Sequence, residues 1–366
     1  MKGSEAAKAS DYANYFSSYA FIYHQKQMLS DGARMRAYRD AILGNPECFA
    51  GKVVLDVGAG SGILSMWAAQ AGAKRVIACE FTKMADHAEA LVAANGLQDV
   101  VEVRRSAAET LDLKKGDVDV IVSEWMGYFL LRESMLDSVI YARDHYLKDG
   151  GALFPNRAAL FWAPASLHGA RPRGRRPASR DADAMADWDA FQDATRADFG
   201  VDVSVLRAPY VAEQDDYYLR PAARHGAAGP GDPRRASARA SSVDSRGIED
   251  APFRFPVPLD RCAAFAGWFD TYFEGSPSCP AKNPVTLSTS PADGYTHWGQ
   301  QVFFVPPAKV EAAVADAGGH PRGPSSTVGT ISLRRQKEAV RLYNIAVKLE
   351  VVPDDPTTLD LDWELS

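Results

Sequence analysis

The sequence predicts an α/β unit with a doubly wound parallel sheet, followed by an all-β unit of barrel or sandwich type. Three observations carry that prediction. Segments of strand and helix character alternate from residue 52 to 155, the pattern of parallel strands joined by right-handed crossovers. A glycine-rich turn, "LDVGAGSG" (55–62), joins the first strand to the first helix. Beyond 155 the alternation gives way to short apolar strands separated by turn residues, an all-β signature.

The elements follow in order. Residues 11–43 read as helix, with Met28, Met35, Tyr38 and Ile42 at helical spacing and Ser30 or Asp31 placed to cap a second segment. "KVVLDV" is a buried strand, "GILSMWAAQAG" a helix closed by Gly72, "RVIACE" a strand, "MADHAEALVAANG" a helix, and "VVEVRR" and "DVDVIVSE" two more strands. "ESMLDSVIYARDHYL" is a helix ended by "KDGG". In the second half, "RAALFWAPA", "QQVFFV", "STVGTISLRR" and "YNIAVKLEVV" read as strands. Two Pro-, Gly- and Arg-rich insertions, 171–180 and 221–247, interrupt them and read as disordered loops. Between these, Met185, Trp188 and Phe191 form an apolar helical stripe. The expected division is a helical segment 1–45, an α/β domain 46–155 and a β domain 156–366.

The 366 residues suffice for roughly two domains. Hydrophobic residues make up 46% and charged residues 24%, which provides for a substantial core. A net charge of -6 argues against direct nucleic-acid binding and favours basic partners. Four scattered cysteines, Cys48, Cys79, Cys262 and Cys279, show neither metal-ligand spacing nor a disulfide framework, so a reducing compartment and no metal are expected. With no apolar signal core and no run of membrane-spanning length, the expectation is a protein of the nucleus or cytoplasm, neither secreted nor membrane-bound.

The glycine turn permits a tight bend and close approach of a ligand through Gly58, Gly60 and Gly62. Glu80 ends the second strand at the distance expected of a ribose-binding acid. The spacing is G-x-G-x-G rather than G-x-G-x-x-G, and Asp56 stands just ahead of it. An acid there suits a cationic ligand better than a pyrophosphate, and the combination resembles S-adenosylmethionine-dependent methyltransferases. Two further acids, Glu124 and Glu133, flank the apolar run of "SEWMGYFLLRESML" (123–136). Glu124 closes a parallel strand, where open α/β sheets bind ligands. Glu133 is expected to open the next helix, where the dipole favours an acid. Two carboxylates in one cleft need a shared cation, and a planar, permanently charged guanidinium suits them best.

"SEWMGYFLLRESML" resembles the double-glutamate loop of protein arginine N-methyltransferases. "YFSSY" (15–19), "HQKQMLSDGARMRAY" (24–38) and "YTHW" (295–298) are similar to the family's N-terminal signature, cofactor-closing helix and threonine-histidine-tryptophan loop. The likeness runs from about residue 11 to 350, is nearest the type I enzymes and, among them, member six. Met35 stands where a threonine is frequent in the family, and the two insertions have no clear counterpart.

The resemblance implies the roles. Glu124 and Glu133 would hold and orient a substrate guanidinium. Arg34 would meet the methionine carboxylate of S-adenosylmethionine, with Asp56, Gly58, Gly60 and Gly62 nearby, Glu80 on the ribose and Glu109 on the adenine. Met28 and Met135 would flank the reactive methyl group. Tyr15 and Tyr19 would help shut the site, with Trp298 on the substrate side. His297 would pair with Asp31, and the released proton has three candidate acceptors: Glu133, the His297–Asp31 pair or water. The implied activity is type I methylation of arginine-rich proteins such as histone tails and RNA-binding proteins by a homodimer, in which an arm at about 182–206 would pack its stripe against the cofactor domain of the second chain, giving monomethyl- and asymmetric dimethylarginine and S-adenosylhomocysteine. The alternatives are an inactive regulatory partner subunit and a small-molecule methyltransferase. "RGR" (173–175) is in addition a candidate for self-methylation.

Overall fold

The structure is a computed structural model and describes residues 21–165, 189, 192–193, 196–197, 204, 247–256, 259, 262, 264–316, 326–337, 339–351 and 358–365. Tyr15, Tyr19, Met185, Trp188, Phe191, Arg173 and Arg175 lie outside these residues, as do 171–180 and 221–246, and so does most of the expected arm.

Two helices open the described chain, α1 (Ile22–Ser30) and α2 (Gly32–Leu43). Asp31 separates them: its carboxylate accepts the Arg34 N–H at 3.0 Å and caps α2. A short helix, α3 (Pro46–Phe49), turns the chain into β1 (Val53–Val57). There follow α4 (Ile63–Gln70), β2 (Arg75–Glu80), α5 (Met84–Ala94), β3 (Val101–Arg105), β4 (Val118–Val122), α6 (Leu136–His145) and β5 (Leu147–Phe154). The five strands form one parallel sheet in the order β3-β2-β1-β4-β5. The order reverses between β1 and β4, so the carboxyl ends of those two strands border a crevice.

Two sequence expectations change here. "KDGG" does not end a helix; it lies inside β5, whose register to β4 shifts between Val118 and Val120. Glu133 does not open α6, which begins at Leu136; Asp137 is the acid in its first turn.

The second unit is antiparallel. One sheet has β6 (Arg157–Ala165), β8 (Ala264–Ser276) and β10 (Gln301–Phe304), with β9 (Cys279–Ser288) also paired to β8. The other has the order β13-β12-β11-β7, from β7 (Gly247–Phe255), β11 (Thr327–Arg335), β12 (Tyr343–Glu350) and β13 (Thr358–Leu365). A helix, α7 (Pro307–Asp316), lies between β10 and β11. Aromatic rings join the sheets: Phe253 meets Phe265 with centroids 5.8 Å apart, and Phe303 meets Trp363 at 5.6 Å. The core runs on into the first unit, where Tyr38 of α2 stands edge-on to Phe273 of β8. Among the described residues no helix is long and apolar enough to cross a membrane.

Candidate active site

A cleft of about 1160 Å³ opens at the carboxyl ends of β1, β2 and β4, roofed by α1 and the start of α2. It is lined by Met28, Asp31, Arg34, Gly58, Gly60, Glu80, Glu109, Glu124, Glu133, Met135, His297 and Trp298. Asp31, Glu80, Glu109, Glu124 and Glu133 therefore meet Gly58, Gly60 and the second unit's His-Trp pair in one place, whereas Asp56 and Gly62, also expected at the cofactor, do not line the cleft.

The end nearest β1 and β2 is fixed by backbone. Gly58 has φ +71, and a Cβ there would lie 2.5 Å from the terminal methyl of Met135; only glycine suits both the conformation and the space. The Gly58 and Ala59 N–H groups donate to the Cys79 carbonyl, each at 2.9 Å. Gly60 N–H donates to Glu80 Oε2 at 2.9 Å and Thr82 N–H to Oε1 at 2.8 Å, so Glu80 is held through both oxygens. Asp56 is wholly buried: Ser65 Oγ donates to its Oδ2 at 2.7 Å, while its Oδ1 has no hydrogen-bond partner. Burial pushes this carboxyl up to about 7, with the Ser65 bond only partly opposing. Glu109 accepts a hydrogen bond from Ser138 Oγ at 2.6 Å.

Gln25 has no assignment from the sequence. It is buried on α1, and its side-chain amide stands 3.0 Å from where a Gly60 Cβ would be. Its i, i+3 spacing to Met28 puts both on one helix face, and that spacing is the signal the sequence offers.

The other end is built on β4. Ser123 Oγ donates to the Val57 carbonyl at 2.7 Å, and Tyr38 Oη donates to the Ser123 carbonyl at 3.0 Å, fixing the base of Glu124. Glu124 Oε2 accepts Arg34 Nε at 3.0 Å, with the two side chains 10% and 8% exposed. Arg34 Nη1 donates to the Met28 carbonyl at 3.2 Å and touches Met35 Sδ at 3.5 Å; Nη2 takes part in none of these bonds. The family resemblance assigns Arg34 and Glu124 to different ligands. The structure pairs them with each other, so a guanidinium already stands on one edge of Glu124.

Beyond Glu124 the loop is strained. Phe129, Leu130, Glu133 and Ser134 have φ of 50, 68, 82 and 55, conformations that persist only where surroundings impose them. Those surroundings come largely from the second unit. The Glu133 N–H donates to the Arg341 carbonyl at 2.8 Å, and Arg341 Nη1 returns a bond to the Glu133 carbonyl. Ser134 Oγ donates to the Val340 carbonyl at 2.7 Å. Arg335 forms a two-pronged ion pair with Asp137 at 2.7 and 3.0 Å. This clasp is why Glu133 sits in a loop rather than at a helix start. Trp298 Nε1 donates to the Met126 carbonyl at 2.8 Å, and the Phe129 ring lies against Gly267 of β8.

His297 reaches Asp31 twice, by its backbone N–H at 2.9 Å and by Nδ1 at 2.8 Å. Burial works against the charged carboxylate, but bonds from His297 and the Arg34 N–H outweigh it and hold Asp31 below its usual range.

The comparisons with known proteins agree with this architecture. Residues 54–151 match a methyltransferase domain, and 245–352 match the arginine methyltransferase oligomerization subdomain. Protein arginine N-methyltransferase PRMT10 of Oryza sativa subsp. japonica is 46% identical over 83% of this chain and 81% of its own length. Its namesake from Arabidopsis thaliana is 43% identical over 94% and 88%. Member six from Danio rerio, the member to which the sequence reading places this chain nearest, is 36% identical over 80% and 78%, less similar than either PRMT10 chain. The Arabidopsis thaliana crystal structure described as "a uniquely open conformation" superposes with a TM-score of 0.67 at 38% identity, covering 96% of this chain and all of that one. With such relatives spanning at least 80% of its length, this chain belongs to the protein arginine N-methyltransferase family.

Proposed function

We propose that this chain is a type I protein arginine N-methyltransferase that uses S-adenosylmethionine to methylate arginines of protein substrates in the nucleus or cytoplasm, giving monomethylarginine and then asymmetric dimethylarginine. The observation that carries the reading is that Glu124 and Glu133 line the same cleft as the glycine turn. Relatives named protein arginine N-methyltransferases support the transfer to arginine; the type I product rests on this chain's own residues.

The residues present suit the cofactor. The glycine turn leaves no side chain between Gly58 and Met135, the buried Asp56 Oδ1 is without a partner, and Glu80 is held at the end of β2. Glu80 would take the ribose, Glu109 the adenine, and Arg34 the methionine carboxylate. When bound, S-adenosylmethionine supplies an electrophilic methyl group on a sulfonium centre, and S-adenosylhomocysteine is the product.

The chain's own groups perform the rest. Glu124 and Glu133 bind the substrate guanidinium and draw its positive charge toward the nitrogens they touch, leaving electron density on the attacking nitrogen. Arg34 keeps Glu124 aimed, so the carboxylate needs no reorganisation when the substrate arrives. Met28 and Met135 exclude water from the reacting nitrogen and leave room for a monomethylated guanidinium to return. Glu133 and the Asp31–His297 pair both face the cleft that the released proton must cross.

A homodimer is part of the proposal, supported by the oligomerization subdomain match over 245–352. Light scattering should give a dimer mass; a monomer across the micromolar range would remove this part. The reaction is tested by labelled-methyl transfer to a Gly-Arg-rich peptide, a histone tail and free arginine. Transfer to the peptides with asymmetric dimethylarginine as the end product is expected. Transfer to free arginine alone, no transfer to any of the three, or predominantly symmetric dimethylarginine would overturn it.

A further inference from the structure

Outside the cleft, the structure brings together two thiols that lie 231 positions apart in the chain. Cys48, on α3, and Cys279, the first residue of β9, have their sulfurs 3.0 Å apart. Both are free thiols. The sequence predicts no framework among the four cysteines, because nothing local relates these two.

We propose that Cys48 and Cys279 form a reversible cystine crosslink under oxidant, locking the helical corner of the first unit onto the antiparallel unit. Two observations support it. The sulfurs need to close by only about 1 Å to reach bonding distance. The surrounding backbone is already laced: Asn45 Nδ2 donates to the Asn283 carbonyl at 2.9 Å, the Asn283 N–H donates to Asn45 Oδ1 at 2.7 Å, and Asn283 Nδ2 donates to the Gly44 carbonyl at 2.7 Å. The corner is thus held in register before any covalent bond forms.

The two sulfurs differ in access. Cys48 is buried, and burial together with the Cys279 sulfur pushes its thiol up to about 12. Cys279 is partly exposed, so hydrogen peroxide reaches it first. The Cys279 thiolate attacks one peroxide oxygen and the O–O bond breaks. The departing hydroxide takes the proton that Cys279 released, and a sulfenic acid and water result. The Cys48 sulfur then attacks the Cys279 sulfur. The S–O bond breaks, the Cys48 proton joins the leaving hydroxyl as a second water, and the S–S bond forms. Two thiols lose two electrons and two protons, and one peroxide becomes two waters. A reducing thiol reverses the crosslink by exchange.

The corner matters because α3 follows directly from α2, the helix that carries Arg34. The crosslink closes a long loop in the unfolded chain and so stabilises the folded one.

The full-length chain is treated with increasing hydrogen peroxide, its remaining thiols are blocked, and it is digested without reduction for mass spectrometry. A linked Cys48–Cys279 peptide is expected. The thermal midpoint should rise by about 4 °C or more, and dithiothreitol should reverse the rise. Cys48→Ser and the less buried Cys279→Ser should each abolish both the linked peptide and the shift. Sulfinic or sulfonic acid at Cys279 without the linked peptide, a disulfide joining two chains, or a linked peptide with no rise in midpoint would overturn the proposal.

Discussion

The two ends of the cleft hold their carboxylates by different means. At the cofactor end, Glu80 is fixed by two backbone N–H groups and Asp56, buried outside the cleft lining, by Ser65, all within the parallel-sheet unit. At the substrate end, Glu124 depends on Arg34 of α2, and Glu133 on a strained loop clasped by the β11–β12 turn. The first end is complete within one domain. The second exists only once both units have assembled. On the proposed function, a ligand common to many enzymes is bound by a local motif, whereas the geometry that would select a guanidinium is set by long-range packing.

That contrast can be broken most sharply at Glu124. Glu124→Gln should lower methyl transfer by about 10³-fold, because the amide keeps the shape and loses the charge that holds the substrate. Its oxygen can still accept from Arg34 Nε, so the variant should fold with a loss of about 1–3 kcal/mol. Cofactor affinity, measured by calorimetry, should stay within a few-fold of the wild type. Near-normal turnover would remove the two-carboxylate mechanism.

Gly267→Ala probes the long-range half of the contrast from outside the cleft. An added Cβ would meet the Phe129 ring at 1.9 Å. Phe129 is itself packed against Trp162 and Phe303, with centroids 5.9 and 5.3 Å away, so the loop must shift. Overpacking of this kind costs about 1–3 kcal/mol. Transfer should fall roughly 10-fold with little change in cofactor affinity. Equal losses in both would mean that the two ends are not separately supported.

How much of this is legible in the sequence follows the same division. Strands β1 to β4, the glycine turn and the placing of Glu124 at a strand end are readable, because periodicity and turn chemistry are local signals. Strand β8 is not: it is buried at every position from Ala264 to Thr271, so it lacks the alternation that marks a strand. Strands β7, β9 and β13 also escape the sequence reading. β5 is hidden by "KDGG", in which Gly150 takes φ +75 within the strand. Glu133 is misplaced onto a helix because Arg341, its clasp, lies 208 positions away. The meeting of Asp31 with His297, 266 positions apart, can be anticipated only through the family resemblance.

Met28→Phe acts between the two ends. A larger, stiffer side chain should crowd the returning monomethylated nitrogen more than the first substrate. The ratio of dimethyl- to monomethylarginine should therefore fall a few-fold, while the first transfer drops less. An unchanged ratio on amino-acid analysis would show that Met28 does not border that nitrogen.

Asp56 tests the self-contained end, and its signature is a pH dependence. An unfolded aspartate titrates near 3.9, whereas in the folded protein burial holds Asp56 at about 7. Between those values the native state keeps a proton that the unfolded state has released. Stability must therefore fall as pH rises through that window, and the full penalty is present above about pH 7. The amide of an Asp56→Asn variant cannot ionise, yet its oxygen can still accept from Ser65 Oγ. The variant and the wild type should melt together at about pH 4, and the variant should melt roughly 3–6 °C higher at about pH 8. Saturating S-adenosylmethionine should narrow the gap at the higher pH, since a cation near the carboxylate favours its charged form. Scanning calorimetry at the two pH values, with and without the cofactor, decides the matter. A gap that is the same at both would mean that Asp56 is ionised throughout, and that its orphaned oxygen is satisfied without a ligand.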